Sequence, residues 1–254
     1  MASTDPMVQP HVEAIWDGTW LCAVFGSRSE IGPVYGDLIL TWKERALLGA
    51  GRAILLGASP YGLTLEDLDN PEYRPELVWH SLSEATMEQL ADHYISSMIL
   101  RVAGSSSAIP EVRVDFDLLR SGGFSATVSA PFAKLVEECD RDAARRNLES
   151  FIDLCSLFFV SRIFFAGAVG EEVRVENFSD SQLLADRIAD WAFLGASLSR
   201  QLDGALRVAE SQGVSVTRLD DGGVFMRWGD WWSSRKPGAD WMVSLKSALE
   251  MQLP

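Results

Sequence analysis

The stretch "EVRVDFDLLRSGGFSATVSA" (111–130) decides the fold class of this 254-residue chain. Apolar residues such as Val114 and Phe116 alternate with charged residues, and this two-residue period is that of a strand with one buried face and one solvent-exposed face. Gly122 and Gly123 then allow the positive φ angles of a tight reversal, after which the alternation resumes. The stretch therefore predicts an antiparallel β-hairpin.

Further strands are predicted on both sides of this hairpin, because short apolar runs there are bounded by turn residues. Three runs precede it: "TWLCAVFG" (19–26), "GDLILTW" (36–42) and "RAILLG" (52–57). Downstream, "SRIFFAGAV" (161–169) and "EEVRVEN" (171–177) predict a second hairpin. A last hairpin is predicted for "VSVTRL" and "GGVFMRW", joined through Asp220 to Gly223.

Helical spacing accounts for the remaining segments, and capping-box pairs mark two of the helix starts. Ser81 and Glu84 stand three residues apart, as do Ser179 and Gln182, so each side chain of a pair can satisfy the other's free backbone N–H. Apolar residues then recur at a helical period. We predict helices over 81–104, over 131–158 with a break near "DRDAA", over 179–213, and over 240–253 with Asp240 as its cap.

These elements predict an α+β fold, with a mainly antiparallel sheet built from hairpins and amphipathic helices packed on it. The order divides the chain into three sections. Residues 1–80 are rich in strands, residues 81–213 read helix, hairpin, helix, hairpin, helix, and residues 214–254 supply a hairpin and a helix. We expect the three sections to form one compact domain.

Composition and charge narrow the classes of function. Hydrophobic residues make up 47% of the chain and charged residues 23%, which is typical of a globular protein. The longest apolar runs, such as "LCSLFFV" (154–160), are far shorter than the roughly 20 residues that cross a bilayer, and no signal peptide precedes them. The sequence therefore predicts a soluble cytoplasmic protein with no membrane partner.

The net charge of −14 argues against one class of partner and suits another. A chain with 36 acidic and 22 basic residues repels phosphate backbones, so nucleic-acid binding is not expected. An acidic surface suits a basic protein partner, and it also serves solubility alone. Both interpretations stay open.

No catalytic, cofactor or metal motif is found. The chain has no phosphate-binding glycine loop, no GxGxxG, no HExxH and no GxSxG. The cysteines form no CxxC pair and are expected to be reduced and buried; they are Cys22, Cys139 and Cys155. His93, on a predicted helix beside Asp92 and Tyr94, is expected at the surface or its boundary, since a general base would need a nucleophile within reach. The enzyme hypothesis comes last.

The stretch "RWGDWWSSRKPGADW" (227–241) is the candidate site, because it holds four of the nine tryptophans. Burying one tryptophan removes on the order of 200 Å² from water, worth several kcal/mol at about 25 cal/mol per Å². The rings therefore either cover the core under the last helix or anchor a partner, and in a turn they cannot all point the same way. The candidate partner-binding residues are Trp228, Trp231, Trp232, Trp241, Arg227 and Arg235.

The order of elements over residues 81–213 resembles the α+β module of type III secretion chaperones and YbjN-type proteins. The resembling segments are "SLSEATMEQLADHY", "EVRVDFDLLRSGGFSATVSA", "RNLESFIDLCSLFFVSRIFFAG", "EEVRVENFSD" and the helix from Gln182. This resemblance implies an acidic, non-catalytic and often dimeric protein that binds extended segments of other proteins.

The sequence thus predicts a non-catalytic, acidic protein-binding protein of chaperone or adaptor type, which captures a partner polypeptide and needs no cofactor. Two alternatives stay open: an immunity-type inhibitor of a basic toxin, and a structural or assembly subunit of a viral or secretion particle. A homodimer is compatible with each of these.

Overall fold

Antiparallel strands join into one sheet in the computed structural model, which describes residues 20–48, 53–60, 95–102, 109, 111–119, 123–171, 173, 191–229, 231 and 238–250. Across the sheet the order of the nine strands is β2-β3-β4-β5-β1-β6-β7-β9-β8, and every neighbouring pair is antiparallel. The strands are β1 (Trp20–Ser27), β2 (Ala53–Pro60), β3 (Ile95–Val102), β4 (Glu111–Leu118), β5 (Phe124–Pro131), β6 (Phe164–Glu171), β7 (Trp191–Leu194), β8 (Ser215–Arg218) and β9 (Val224–Arg227). The predicted α+β class with a mainly antiparallel sheet is confirmed.

The hairpin that decided the fold class forms as predicted. Strands β4 and β5 pair from Arg113 opposite Ser129 to Leu118 opposite Phe124. The N–H of Leu119 donates to the carbonyl of Gly123 at 2.8 Å and closes the turn. The last hairpin, β8–β9, is also confirmed, since Arg218 lies opposite Val224 across the predicted turn.

Helices cover both faces of the sheet. The described helices are α1 (Ile31–Leu48), a π-helical turn (Ala133–Glu137), α2 (Arg141–Phe158), α3 (Ala196–Gln201), α4 (Asp203–Ser211) and α5 (Ala239–Glu250). The predicted break before α2 is confirmed, and the Asp140 side chain caps α2 by accepting from the N–H of Ala143 at 2.8 Å. The last predicted helix also forms, but Asp240 lies in its first turn rather than at its cap, because α5 begins at Ala239. Among the helices that can be described, none is long and apolar enough to cross a membrane.

Two apolar cores flank the sheet, because alternate residues of each strand point to opposite faces. In β1, Phe25 belongs to the core beneath α1 and α2, here called the first face. Its neighbour Val24 belongs to the core beneath α3, α4 and α5, here called the second face. Phe25 packs among three other rings at centroid distances of 5.3 to 5.5 Å, so the central strand is enclosed from both sides.

The strand predicted for residues 36–42 was wrong, because this segment lies within helix α1. The residues Ile31, Tyr35, Leu38 and Trp42 are buried and recur at helical spacing. The indole N–H of Trp42 donates to the carbonyl of Phe158 at 2.7 Å and ties α1 to the end of α2.

The helix predicted over residues 81–104 was wrong in its second half, where β3 runs from Ile95 to Val102. The register sets Met98 opposite Val114 and Leu100 opposite Val112, which continues the apolar row of the neighbouring strand. Residues 81–94 lie outside the described residues.

The long helix predicted over residues 179–213 was wrong from residue 191 onward, where strand β7 is followed by the separate helices α3 and α4. Residues 179–190 lie outside the described residues. All four residues of β7, from Trp191 to Leu194, are buried, so the strand fills both faces at once. The second predicted hairpin paired 161–169 with 171–177, but both edges of β6 over residues 166–169 are occupied, by β1 on one side and by β7 on the other. Residues 172 and 174–177 lie outside the described residues.

Candidate functional site

The tryptophans of the 227–241 stretch divide between the two faces of the sheet. Trp228 and Trp241 lie on the second face, where their exposed fractions are 4% and 6% and their ring centroids are 5.4 Å apart. Neither indole N–H donates to an acceptor among the described residues. These two rings therefore pack helix α5 against the sheet, as expected if they cover the core under the last helix.

Trp231 lies on the first face and keeps part of its surface exposed. Its ring stands edge-on to the ring of Trp191, with centroids 5.5 Å apart, and packs 5.8 Å from the ring of Phe132. The guanidinium of Arg227 lies over the ring of Trp191, with its Cζ 5.5 Å from the ring centroid. We call Phe132, Trp191, Arg227 and Trp231 the Trp191 cluster.

Strand register explains why these residues meet. Arg227 is directly opposite Trp191 on β7, and it is opposite Ser215 on β8. Because side chains alternate along β9, Arg227 shares the first face with Phe225, whereas Trp228 points to the second face. The cluster thus lies where β9 ends, one strand from the edge of the described sheet.

The edge next to the cluster is polar, and no described strand pairs with its outer side. Strand β8 ends the sheet order, and its Ser215, Thr217 and Arg218 side chains are exposed. An edge strand of this kind presents backbone N–H and C=O groups that a sheet neighbour would otherwise occupy. The cluster therefore combines a rigid aromatic base, a part-exposed ring, a guanidinium and an accessible backbone edge.

A hydrogen-bonded group centred on Asp221 lies at the end of β9 that is opposite to the Trp191 cluster. It joins helix α1, the turn after α2 and the turn before β9. Its carboxylate accepts from Arg45 at 2.7 Å, from the N–H of Ser161 at 2.9 Å and from the N–H of Gly223 at 3.3 Å. Burial alone would raise the pKa of Asp221, but these hydrogen bonds outweigh it and hold the pKa below its ordinary value. Because these hydrogen bonds stabilise the charged form of the carboxylate, we interpret Asp221 as a residue that links parts of the fold and not as a proton-transfer group.

Other predicted residues are placed as follows. Cys22 and Cys155 are buried and Cys139 is part-exposed, and burial raises the pKa of the Cys155 thiol well above its ordinary value. Trp232 and Arg235 lie outside the described residues, as do the histidines, His11, His80 and His93. Within the described ranges, no three His, Cys, Asp or Glu side chains lie close enough together to hold a metal ion.

Two members of the Trp191 cluster were missed by reasoning from the sequence. Trp191 was assigned to a helical stripe, and Phe132 to the start of a helix. The usable signal was the run "WAFL" (191–194), four consecutive apolar residues followed by Gly195, which is also the pattern of a short strand buried on both faces.

Comparison with known proteins gives no family. No family model and no curated protein matches the chain. Among solved structures the chain is similar to the Pseudomonas aeruginosa T6SS protein PA0821, with a TM-score of 0.41 and 14% sequence identity, over 91% of this chain and 72% of that chain.

Proposed function

We propose that this chain is a non-catalytic protein-binding protein of chaperone or adaptor type, which captures a partner polypeptide at the Trp191 cluster. One observation carries the proposal: Trp231 and Arg227 stay part-exposed on a buried aromatic base beside the edge strand of the described sheet, whereas Trp228 and Trp241 are buried. Tryptophan and arginine are the residue types that dominate protein interfaces energetically.

Rigidity supports the same conclusion. The base of the cluster, Trp191, is only 5% exposed and is fixed between β6 and β9 by strand pairing. Trp231 and Arg227 each rest on its ring, so their rotamers are restricted before any partner arrives. When a partner docks here, Trp231 and Arg227 therefore lose little additional side-chain entropy. Preorganisation of a binding site lowers this cost of binding.

A second candidate, the immunity-type inhibitor of a basic toxin, is favoured by the net charge of −14. The two functions differ in their response to salt. Electrostatic capture of a basic partner requires an association rate that falls steeply between about 0.05 and 0.5 M salt. Capture through Trp231 requires a dissociation rate that depends on the ring and responds weakly to salt.

The test is affinity capture from the source cells, followed by calorimetry with the purified partner. Trp231→Ala is expected to weaken binding by at least about tenfold, because it removes the exposed anchor. The matched control is Trp20→Ala, since Trp20 is also a half-buried tryptophan but packs against the second face. Both variants are expected to lower the melting temperature, and only Trp231→Ala is expected to weaken binding.

Two results would contradict the proposal. One is an equal loss of affinity in both variants, which would mean that stability and not the ring governs binding. The other is an unchanged affinity in Trp231→Ala, which would place the interface elsewhere on the chain.

A further inference from the structure

Arg227 differs from the other part-buried arginines whose side chains can be described. Arg45 lies 2.7 Å from the carboxylate of Asp221, and Arg113 lies 2.7 Å from the carboxylate of Asp115. Arg227 is part-buried to a similar degree, but its guanidinium has neither an ion pair nor a hydrogen bond to any described residue. Among the described residues, the ring of Trp191 is the group on which the Arg227 guanidinium rests.

Within the described part of the chain, no acceptor uses the hydrogen-bonding capacity of Arg227. A guanidinium carries five N–H donors in a planar fork, and stacking on a ring occupies its face but not its donors. Partial burial has already removed some of the water that would solvate the charge. A carboxylate that approaches in the plane of the fork can therefore form two charge-assisted hydrogen bonds to a donor that is already oriented.

The surroundings of Arg227 add an apolar contact and a short polar neighbour. Trp231 stands against the same Trp191 ring and exposes part of its own surface. Ser215, directly opposite Arg227 on the edge strand, is exposed and ends in a small hydroxyl. A ligand that matches the cluster thus carries a carboxylate next to an apolar side chain.

We propose that the Trp191 cluster recognises a short acidic segment of the partner polypeptide, in which an Asp or Glu pairs with Arg227 and an adjoining apolar residue packs on Trp231. This inference rests on the proposed function and names the chemistry of the partner. It gives an acidic ligand to a chain that is itself strongly acidic. The positive charge of Arg227, which pairs with no described carboxylate, and not the net charge of the chain, therefore selects the segment.

The experiment uses a displayed library of random heptapeptides, selected on the full chain. We expect enriched peptides to contain an acidic residue beside an apolar residue. One such peptide is then synthesised together with its Glu→Gln or Asp→Asn counterpart, and both are titrated against the wild-type chain and Arg227→Gln. Arg200→Gln is the control, because Arg200 is an exposed arginine on α3.

The four affinities form a double-mutant cycle. Removing the charge from either the peptide or Arg227 is expected to weaken binding by roughly tenfold or more, and removing both is expected to cause little further loss. Arg200→Gln is expected to bind like the wild type. Melting curves of all variants establish that each chain is folded.

The other outcomes separate this inference from the proposed function. Enriched peptides that lack an acidic residue, and that lose affinity in Trp231→Ala but not in Arg227→Gln, would overturn the inference and leave the proposed function standing. Basic peptides, or acidic peptides that bind Arg227→Gln as tightly as the wild type, would also overturn it. A library that enriches nothing on the wild type relative to Trp231→Ala would overturn both.

Discussion

Replacing Asp221 by alanine tests how the end of the last hairpin is joined to the helices of the first face. The substitution removes the acceptor for Arg45, for the N–H of Ser161 and for the N–H of Gly223. The two charged side chains are only 22% and 24% exposed, so water replaces the lost contacts incompletely. Arg45 keeps its bond to the carbonyl of Phe159 at 2.8 Å, which limits the damage.

The expected magnitude follows from these contacts. Hydrogen bonds to a charged group contribute roughly 1.5–3 kcal/mol each when buried, but bonds that share one acceptor are not additive. We therefore expect Asp221→Ala to lower the free energy of unfolding by about 3 kcal/mol. For a chain of this length, that corresponds to a fall in melting temperature of roughly 6–12 °C.

The matched control is Asp37→Ala. Asp37 pairs with Arg162 at 2.9 Å, but the two side chains are 57% and 60% exposed. An exposed pair of this kind contributes less than about 1 kcal/mol. The difference between the two variants therefore measures the combined effect of burying the ion pair and of the two backbone N–H bonds that only Asp221 accepts.

The pH dependence gives the stricter check. The pKa of Asp221 in the folded chain lies below its ordinary value of 3.8, so the unfolded chain binds the proton more readily. The stabilisation is complete above that ordinary value and is lost as the pH falls through the folded pKa. Urea unfolding should thus show a constant gap between the wild type and Asp221→Ala at neutral pH, which narrows below about pH 4. A gap of the same size at pH 3 and pH 7, or one no larger than that of Asp37→Ala, would refute the reasoning.

Two further pairs of variants test the packing. Trp42→Phe is expected to cost about 1–2 kcal/mol more than Trp228→Phe, because it leaves the Phe158 carbonyl without its donor, whereas the indole N–H of Trp228 donates to no described acceptor. Equal losses in chemical denaturation would contradict this. Gly195→Ala is expected to cost about 3 kcal/mol or more of folding free energy, because a Cβ there overlaps the backbone of β6. Gly204→Ala is expected to stabilise helix α4 by about 0.5–1 kcal/mol, because a Cβ there meets nothing within 4 Å. Melting temperatures that move in the same direction for both glycines would count against the described packing.

The sequence predicted those elements whose periodicity has only one interpretation. The 111–130 hairpin alternates strictly and turns at a Gly-Gly pair, and the structure confirms it. Helix α1 was missed because Gly36 was taken as a strand boundary, although Ile31, Tyr35 and Leu38 already follow the helical period. A run of apolar residues next to a glycine is ambiguous until its longer-range spacing is counted.

Strand β7 could not be separated from a helix by its sequence. Both faces of the sheet are covered there, so all four of its residues are apolar, and they continue the helical stripe predicted for residues 179–213. The error follows from burial on two sides, which removes the polar alternation that marks a half-exposed strand.

The candidate site was predicted in part. The sequence singled out Trp231 and Arg227 by residue type, but it could not separate them from Trp228 and Trp241. That division depends on which face each residue of β9 points to, and the partnership with Trp191 depends on the pairing of β7 with β9. Both are properties of strand register, which no local pattern in the chain specifies.

Amide hydrogen exchange of the chain, alone and bound to its captured partner, tests the central claim most directly. Binding at the Trp191 cluster requires slower exchange in β8, in the end of β9 and at Trp231, with the Asp221 turn unchanged. Protection confined to helix α5, or no change around Arg227 and Trp231 when the partner is saturating, would show that the partner binds somewhere else.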